Sequence, residues 1–359
     1  MRGDTQSARF ELTRWNEVDW SGFASYPTAG PFQSRAWIEF LAEVQQAEPI
    51  AAKLMDGGQE IGRFTGLMVN KFGLKVLGSP LPGWTTPYMG FNLKEDVPAR
   101  VAVRALLRLA FDDLGCVHLE LRDRWLVEND VAGLGFGRRD DIGYDDRTFE
   151  IDLRRPEDDI FNRMASACRR CIRQSEKRGV TIEQAHGESF ADEFYPQIRD
   201  VFLRQGLVPT YSLERVKALI RNLEPQNQIL LLRARDAEGS CIATGLYPAF
   251  NDTALFWGGA SLKEHQHNRP NEALHWHAIR YWRERGIARY DLGGFMEYKR
   301  KYGGEEVVIP GFRRSRSSLF SAARSIAPNA MRAKQLLFGR LGRGHVSSQP
   351  MIATVGDGD

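Results

Sequence analysis

Residues 270–305, PNEALHWHAIRYWRERGIARYDLGGFMEYKRKYGGE, read as a helix, a strand and then a charged loop. Pro270 suits a first helical position and Asn268 is placed to cap it. Leu274, Ala278, Ile279, Tyr281 and Trp282 recur at three-to-four spacing as an apolar stripe, and Arg285 and Gly286 close the helix. A short strand over 287–292 carries Asp291 near its C-terminal end, the edge at which open α/β sheets present their chemistry. Gly293 and Gly294 free the backbone to turn there. A strand that ends in Asp-Leu-Gly-Gly and opens onto Tyr298, Lys299 and Lys301 is built like a substrate site, not like a core.

The same order of elements occurs earlier in the chain. A hairpin begins at Gly245, turns at Asn251 and Asp252, and reaches Gly258 and Gly259 just before the helix. In the first half a strand begins near Gly66, turns over 70–73 and reaches Gly78 and Ser79. The helix 99–114, Gly115 and the strand 117–122 follow. Gly66 and Gly78 are 12 positions apart, Gly245 and Gly258 13, which implies two similar α/β domains with mixed sheets. The polar run after the strand 147–153 places the boundary there: domains over 1–154 and 155–314, then a tail over 315–359.

The 359 residues are ample for two cores, and a net charge of +3 does not demand a polyanionic partner such as DNA. The charge is uneven. No Asp or Glu occurs between Glu306 and Asp357, whereas eight Arg or Lys do. In this basic tail Leu319, Phe320, Ile326, Met331, Leu336, Leu337, Phe338 and Leu341 alternate with cations, as in a helix lying on an anionic membrane surface, although Pro328 interrupts the pattern. A partly disordered arm is the alternative. The first residues hold no apolar run and no stretch is long enough for a membrane span, so a cytoplasmic location is expected, with the tail at the inner membrane face. Four scattered cysteines suit a reducing compartment.

A helix expected over 156–178 gathers Arg163, Arg169, Arg170, Arg173, Lys177 and Arg178, either as a solvated face or to meet phosphates. A second helix ends at Arg204 and Gly206, and the loop with Pro209, Thr210 and Tyr211 borders a groove before another helix near Ser212. Three motifs are set aside. His275 and His277 stand two apart on a helix and point to different faces, so no metal is expected. Cys168 and Cys171 lie inside a helix, without the redox context. Gly133, Gly135 and Gly137 precede a strand, the wrong order for a dinucleotide fingerprint.

The segments IRQSEKRGV at 172–180, FYPQIRDVFLRQG at 194–206, ALFWGGAS at 254–261, the helix and strand at 270–294 and YKRKYGGE at 298–305 resemble the FemAB-like acyltransferases of the GNAT superfamily. FQSRAW at 32–37 and LGSPLPGWTTPYMGF at 77–91 extend the resemblance over most of 30–312. It implies tandem GNAT-like domains that transfer an acyl or aminoacyl group to an amine, without a bound cofactor. In the best understood members the donor is aminoacyl-tRNA and the acceptor a peptidoglycan precursor; others serve capsule, polysaccharide or lipid pathways. The partners implied are a small-molecule or lipid-linked envelope precursor and tRNA. Lys299 falls where the family keeps a lysine after an aromatic at the acyl-donor end, and Tyr298 is that aromatic here.

Aminolysis of an ester or thioester needs a neutral amine, a positioned carbonyl and stabilisation of the developing oxyanion. Lys299 is the electrostatic candidate, Asp291 can orient the amine or take its proton, and Tyr298 lines the site. Arg204, Tyr211, Trp257, Asn271, Lys301 and Arg173 are the candidate substrate-binding residues. The acetyl-CoA-dependent pattern has a glycine-rich pyrophosphate loop before this helix, where this chain has Lys263, Glu264, His265, Gln266, His267, Asn268 and Arg269. That leans the donor toward aminoacyl-tRNA without excluding acyl-CoA. A catalytically silent scaffold that binds a precursor or a partner enzyme is the other class in view.

Overall fold

The computed structural model describes residues 8–26, 28–139 and 146–317. They form two compact units, divided between Asp146 and Arg147, with the chain returning to the first unit from Val308.

The first unit holds β1 (Arg9–Thr13), α1 (Arg35–Gln45), β2 (Glu48–Asp56), β3 (Gln59–Lys71), β4 (Leu74–Ser79), β5 (Gly90–Leu93), α2 (Ala99–Arg108), β6 (His118–Arg122), α3 (Glu128–Val131) and β7 (Gly137–Arg138). Its sheet runs β1-β2-β3-β4-β6, continues through the strand Gly311–Ser315 to β7, and carries β5 on β3. Among the described residues only β4 and β6 pair in parallel, because α2 forms the crossover between them. Ser34 caps α1 by accepting the Trp37 N–H.

The second unit holds β8 (Arg147–Asp152), α4 (Glu157–Arg163), α5 (Ser166–Lys177), β9 (Thr181–Ala185), α6 (Phe190–Arg204), α7 (Leu213–Leu223), β10 (Ile229–Arg235), β11 (Cys241–Phe250), β12 (Thr253–Leu255), β13 (Gly258–Ser261), α8 (Pro270–Glu284), β14 (Arg289–Asp291) and β15 (Glu305–Val308). The sheet order is β15-β8-β14-β12-β11-β10-β9, with β13 on β11, and β12 pairs with β14 in parallel. The strand Gly311–Ser315, in the first unit, is β16. Leu274, Ala278, Ile279 and Trp282 of α8 enter the second core beside Leu230, Leu232, Tyr247 and Tyr290. On the other sheet face Thr244 of β11 donates to Gln197 of α6.

The duplicated order expected from sequence is present in both units. In each, a hairpin is followed by a short strand on its first arm, a helix, and a strand parallel to the second arm. The copies differ where the short strand is reached. Between β4 and β5 the chain inserts a loop that buries Leu81, Trp84, Tyr88 and Met89, whereas β12 passes into β13 through Phe256 and Trp257 alone.

Three local expectations change. The units do not divide at 154: β8 pairs with β14 and so belongs to the second sheet, while β16, expected in the second domain, pairs with β6. Charge and turn residues mark where a strand ends, but not which sheet its hydrogen bonds join. The cationic helix is two helices. Met164 and Ala165 are extended, the Ala165 N–H is drawn to the Lys301 carbonyl, and Arg169 caps the end of α4 through the carbonyls of Asn162 and Met164. Arg269, at φ +56°, and not Asn268, is the residue from which α8 is entered. The tail beyond Ser317, with its expected membrane contact, lies outside the described residues.

Candidate active site

The turn after β14 is tied on all sides. Gly293 and Gly294 have φ of +74° and +87°, and a Cβ at Gly293 would strike the Phe256 carbonyl oxygen. Asp291, fully buried, accepts the Gly293 N–H at 2.8 Å and the Thr148 hydroxyl at 2.5 Å. Thr148 in turn accepts the Gly294 N–H at 3.0 Å. Lys299, 4 % exposed, donates from Nζ to the carbonyls of Gly293 at 2.7 Å and Gly294 at 3.3 Å and lies over the Phe256 ring. Both amides and both carbonyls of the glycine pair are therefore satisfied by three side chains. Burial lowers the Lys299 pKa to about 8, against the opposing pull of Asp291.

Phe256 joins this turn to a second feature. Its N–H donates to the Asp291 carbonyl, and immediately afterwards the strand leaves β14. Among the described residues β13 pairs with β11 alone. The Leu262 N–H donates to the Ile242 carbonyl, so by antiparallel alternation Gly259 and Ser261 turn their main-chain groups to the opposite, open side. Side chains expected to bind substrate gather along that edge. Arg204 reaches the Ser261 carbonyl at 3.5 Å while pairing with Asp200, and Asn271 donates to Ser261 Oγ at 3.1 Å. Tyr211 packs on Trp257, ring centroids 4.9 Å apart, and burial raises its hydroxyl pKa. Trp257 Nε1 is buried without a hydrogen-bond partner among the described residues.

The remaining candidates sit differently. Lys301 pairs at 2.8 Å with the buried Glu272 in the first turn of α8. Tyr298 is half-buried on the same turn as Lys299, and Arg173 lies over the Phe161 ring on the exposed side of α5. Sequence reasoning missed Thr148, whose strand it assigned to the other domain. It also passed over His275 once metal binding was set aside. His275 is buried, bonds the Tyr290 hydroxyl at 3.0 Å and touches the rings of Phe256 and Tyr302; burial, and then Lys299 and Lys301, lower its pKa to about 3. No cluster of His, Cys, Asp and Glu suited to a metal occurs among the described residues.

Residues 162–300 match the GNAT acetyltransferase domain. The whole fold is similar to that of FemX, at a TM-score of 0.72 and 14 % identity over 88 % of this chain and 100 % of that one. The second unit thus carries a GNAT-type acyltransferase domain, within a fold like that of FemX. A conserved protein of unknown function from Bacteroides thetaiotaomicron is also similar in fold, with a TM-score of 0.53 and 9 % identity over 85 % of this chain and 98 % of that one. A tandem GNAT protein from the clavulanic acid biosynthesis pathway gives 0.49 and 10 %, over 86 % and 98 %. No curated protein matches the sequence. Among the described residues no helix is long and apolar enough to cross a membrane.

Proposed function

We propose that the second unit transfers an aminoacyl group from tRNA to the amine of a cell-envelope precursor, of the peptidoglycan or polysaccharide type. The observation that carries this reading is the open edge of β13 beside the immobilised Gly293–Gly294 turn. The outward main-chain N–H and C=O groups of Gly259 and Ser261 offer hydrogen bonds to the sugar and base of the tRNA 3′ end, which brings its ester carbonyl to the Phe256–Trp257 bend. The neutral acceptor amine attacks that carbonyl, the bond to the carrier oxygen breaks, and the amine proton leaves with the carrier. Trp257, one residue of this bend, has an indole Nε1 without a hydrogen-bond partner among the described residues and so can donate there. Lys299 and Asp291 act by holding the turn, a positioning role, and Tyr298 lines its outer side.

Glu272 favours tRNA over acyl-CoA as the carrier. Its buried carboxylate occupies the first turn of α8, the end of the helix that attracts anions, and it is already neutralised by Lys301. A pyrophosphate placed there finds the end of the helix already occupied by this ion pair and none of the glycines that let a backbone wrap it. Similarity to FemX supports the envelope acceptor. The test supplies labelled aminoacyl-tRNA or acyl-CoA together with lipid-linked and nucleotide-linked envelope precursors, with and without RNase. Label transfer that RNase abolishes is expected. Transfer from acyl-CoA that RNase leaves intact overturns the choice of donor, and no transfer from either overturns the reading.

A further inference from the structure

Charged side chains on the surface of the second unit are mostly paired. Around α5, Arg163 bonds Glu305, Arg155 lies near Asp152 and Glu305, and Arg280 of α8 bonds Glu157. Helix α5 gathers the largest group of exceptions. Arg170, Arg173, Lys177 and Arg178 at its C-cap are exposed, and none has a carboxylate within ion-pairing distance among the described residues. At about 100° per residue, Arg170, Gln174 and Lys177 fall within about 60° of one another, with Arg173 and Arg178 flanking them. Cys168, Ile172 and Ser175 occupy the buried side opposite. Glu176, the one acid on the helix, projects at the margin of this face.

Aromatic surface adjoins the cations. Phe161 of α4 and Trp276 of α8 are half-buried, with ring centroids 5.1 Å apart, and the Arg173 guanidinium lies 5.2 Å over the Phe161 ring. Cations in a row beside planar rings suit a phosphate backbone with bases to stack. An anionic bilayer is a poorer match, since the exposed face of α5 has no large apolar side chain to insert.

We propose that this face of α5, with Phe161 and Trp276 at its edge, is a docking surface for RNA. It rests on the reading of tRNA as the donor's carrier, and it places the body of the RNA on the helix that packs against α8, whose N-terminus opens at β13. The contact is electrostatic and not sequence-specific, so it contributes to affinity and leaves the choice of amino acid to the β13 edge.

The test measures binding of uncharged total tRNA by fluorescence anisotropy over a salt series, in the full chain and in an Arg170→Glu, Lys177→Glu double variant. An Arg170→Gln, Lys177→Gln variant and a thermal melt of each guard against misfolding. The reversed variant is expected to bind about tenfold or more weakly, with the slope of log affinity on log salt reduced by about 1.4, at ~0.7 per lost contact to a single strand. The neutral variant falls between. Unchanged affinity and slope in a folded variant overturns the proposal. So does wild-type protein that binds vesicles containing phosphatidylglycerol through these residues but not tRNA. Because binding is read without transfer, aminoacyl-tRNA that binds normally yet donates nothing counts against the donor assignment alone, and RNase-sensitive transfer that survives the double variant counts against this surface alone.

Discussion

Replacing Lys299 by Met should separate positioning from stability. In the wild-type protein the buried ammonium carries a desolvation cost: the fall of its pKa from 10.5 to about 8 corresponds to about 3 kcal/mol. Against this stand two bonds from a charged donor to the Gly293 and Gly294 carbonyls, each of about 1.5–3 kcal/mol. Met relieves the first and forfeits the second, leaving two carbonyls short of a donor, so the net change in unfolding free energy should stay within about 2 kcal/mol. Activity should respond more. A turn released by even about 1 Å misplaces the reacting groups, and kcat should fall about 100-fold with a smaller change in KM for the donor. The pH profile identifies the cause. Lys299 loses its proton as pH rises through about 8, so wild-type kcat should decline there and the variant should show no such limb. Stability runs the other way: the folded pKa is depressed, so the cost of the buried charge is complete below about pH 8 and is relieved between 8 and 10.5, where wild type should gain on the Lys299→Met variant. A Lys299→Met enzyme with wild-type kcat, or one that keeps the basic limb, refutes the positioning role.

Two further substitutions probe the same region. Gly293→Ala should be far worse than Gly294→Ala, because both have positive φ but only at Gly293 does a Cβ meet the Phe256 carbonyl; strain of at least about 1–3 kcal/mol should appear in denaturant melts, and equal losses would dismiss the close approach. His275→Phe should cost about 1–3 kcal/mol at neutral pH by leaving the Tyr290 hydroxyl without its partner. Because the folded pKa of His275 is lowered from 6.5 to about 3, wild-type stability is complete above pH 6.5 and should drop as pH falls through that window, by up to about 5 kcal/mol. The His275→Phe variant should show a shallower acid decline, and parallel declines would place the acid-sensitive group elsewhere.

The sequence made the repeated unit legible because its parts are local: the apolar stripe of α8, the turn glycines and the hairpin lengths are set by neighbours a few residues away. The site was legible only in part, for the reverse reason. Asp291 and Lys299 announce themselves as charges beside two glycines, yet what fixes their roles is Thr148, far earlier in the chain, whose hydroxyl bridges Asp291 and Gly294. Nothing around Thr148 in the chain marks it, since an ordinary strand residue acquires the role only when β8 pairs with β14. A lysine read as a solvated or phosphate-binding cation likewise becomes a buried clamp once the turn brings two carbonyls beneath it. The cations of α5 followed the opposite course. Their number was visible at once, but the break at Met164 and Ala165 removes Arg163 and Arg169 from the exposed row, and what is left is narrower and more regular than the sequence implied. Charge that the fold consumes in its own hydrogen bonds cannot serve a ligand, so the residues that remain after that subtraction are the ones on which a functional claim for this helix has to stand.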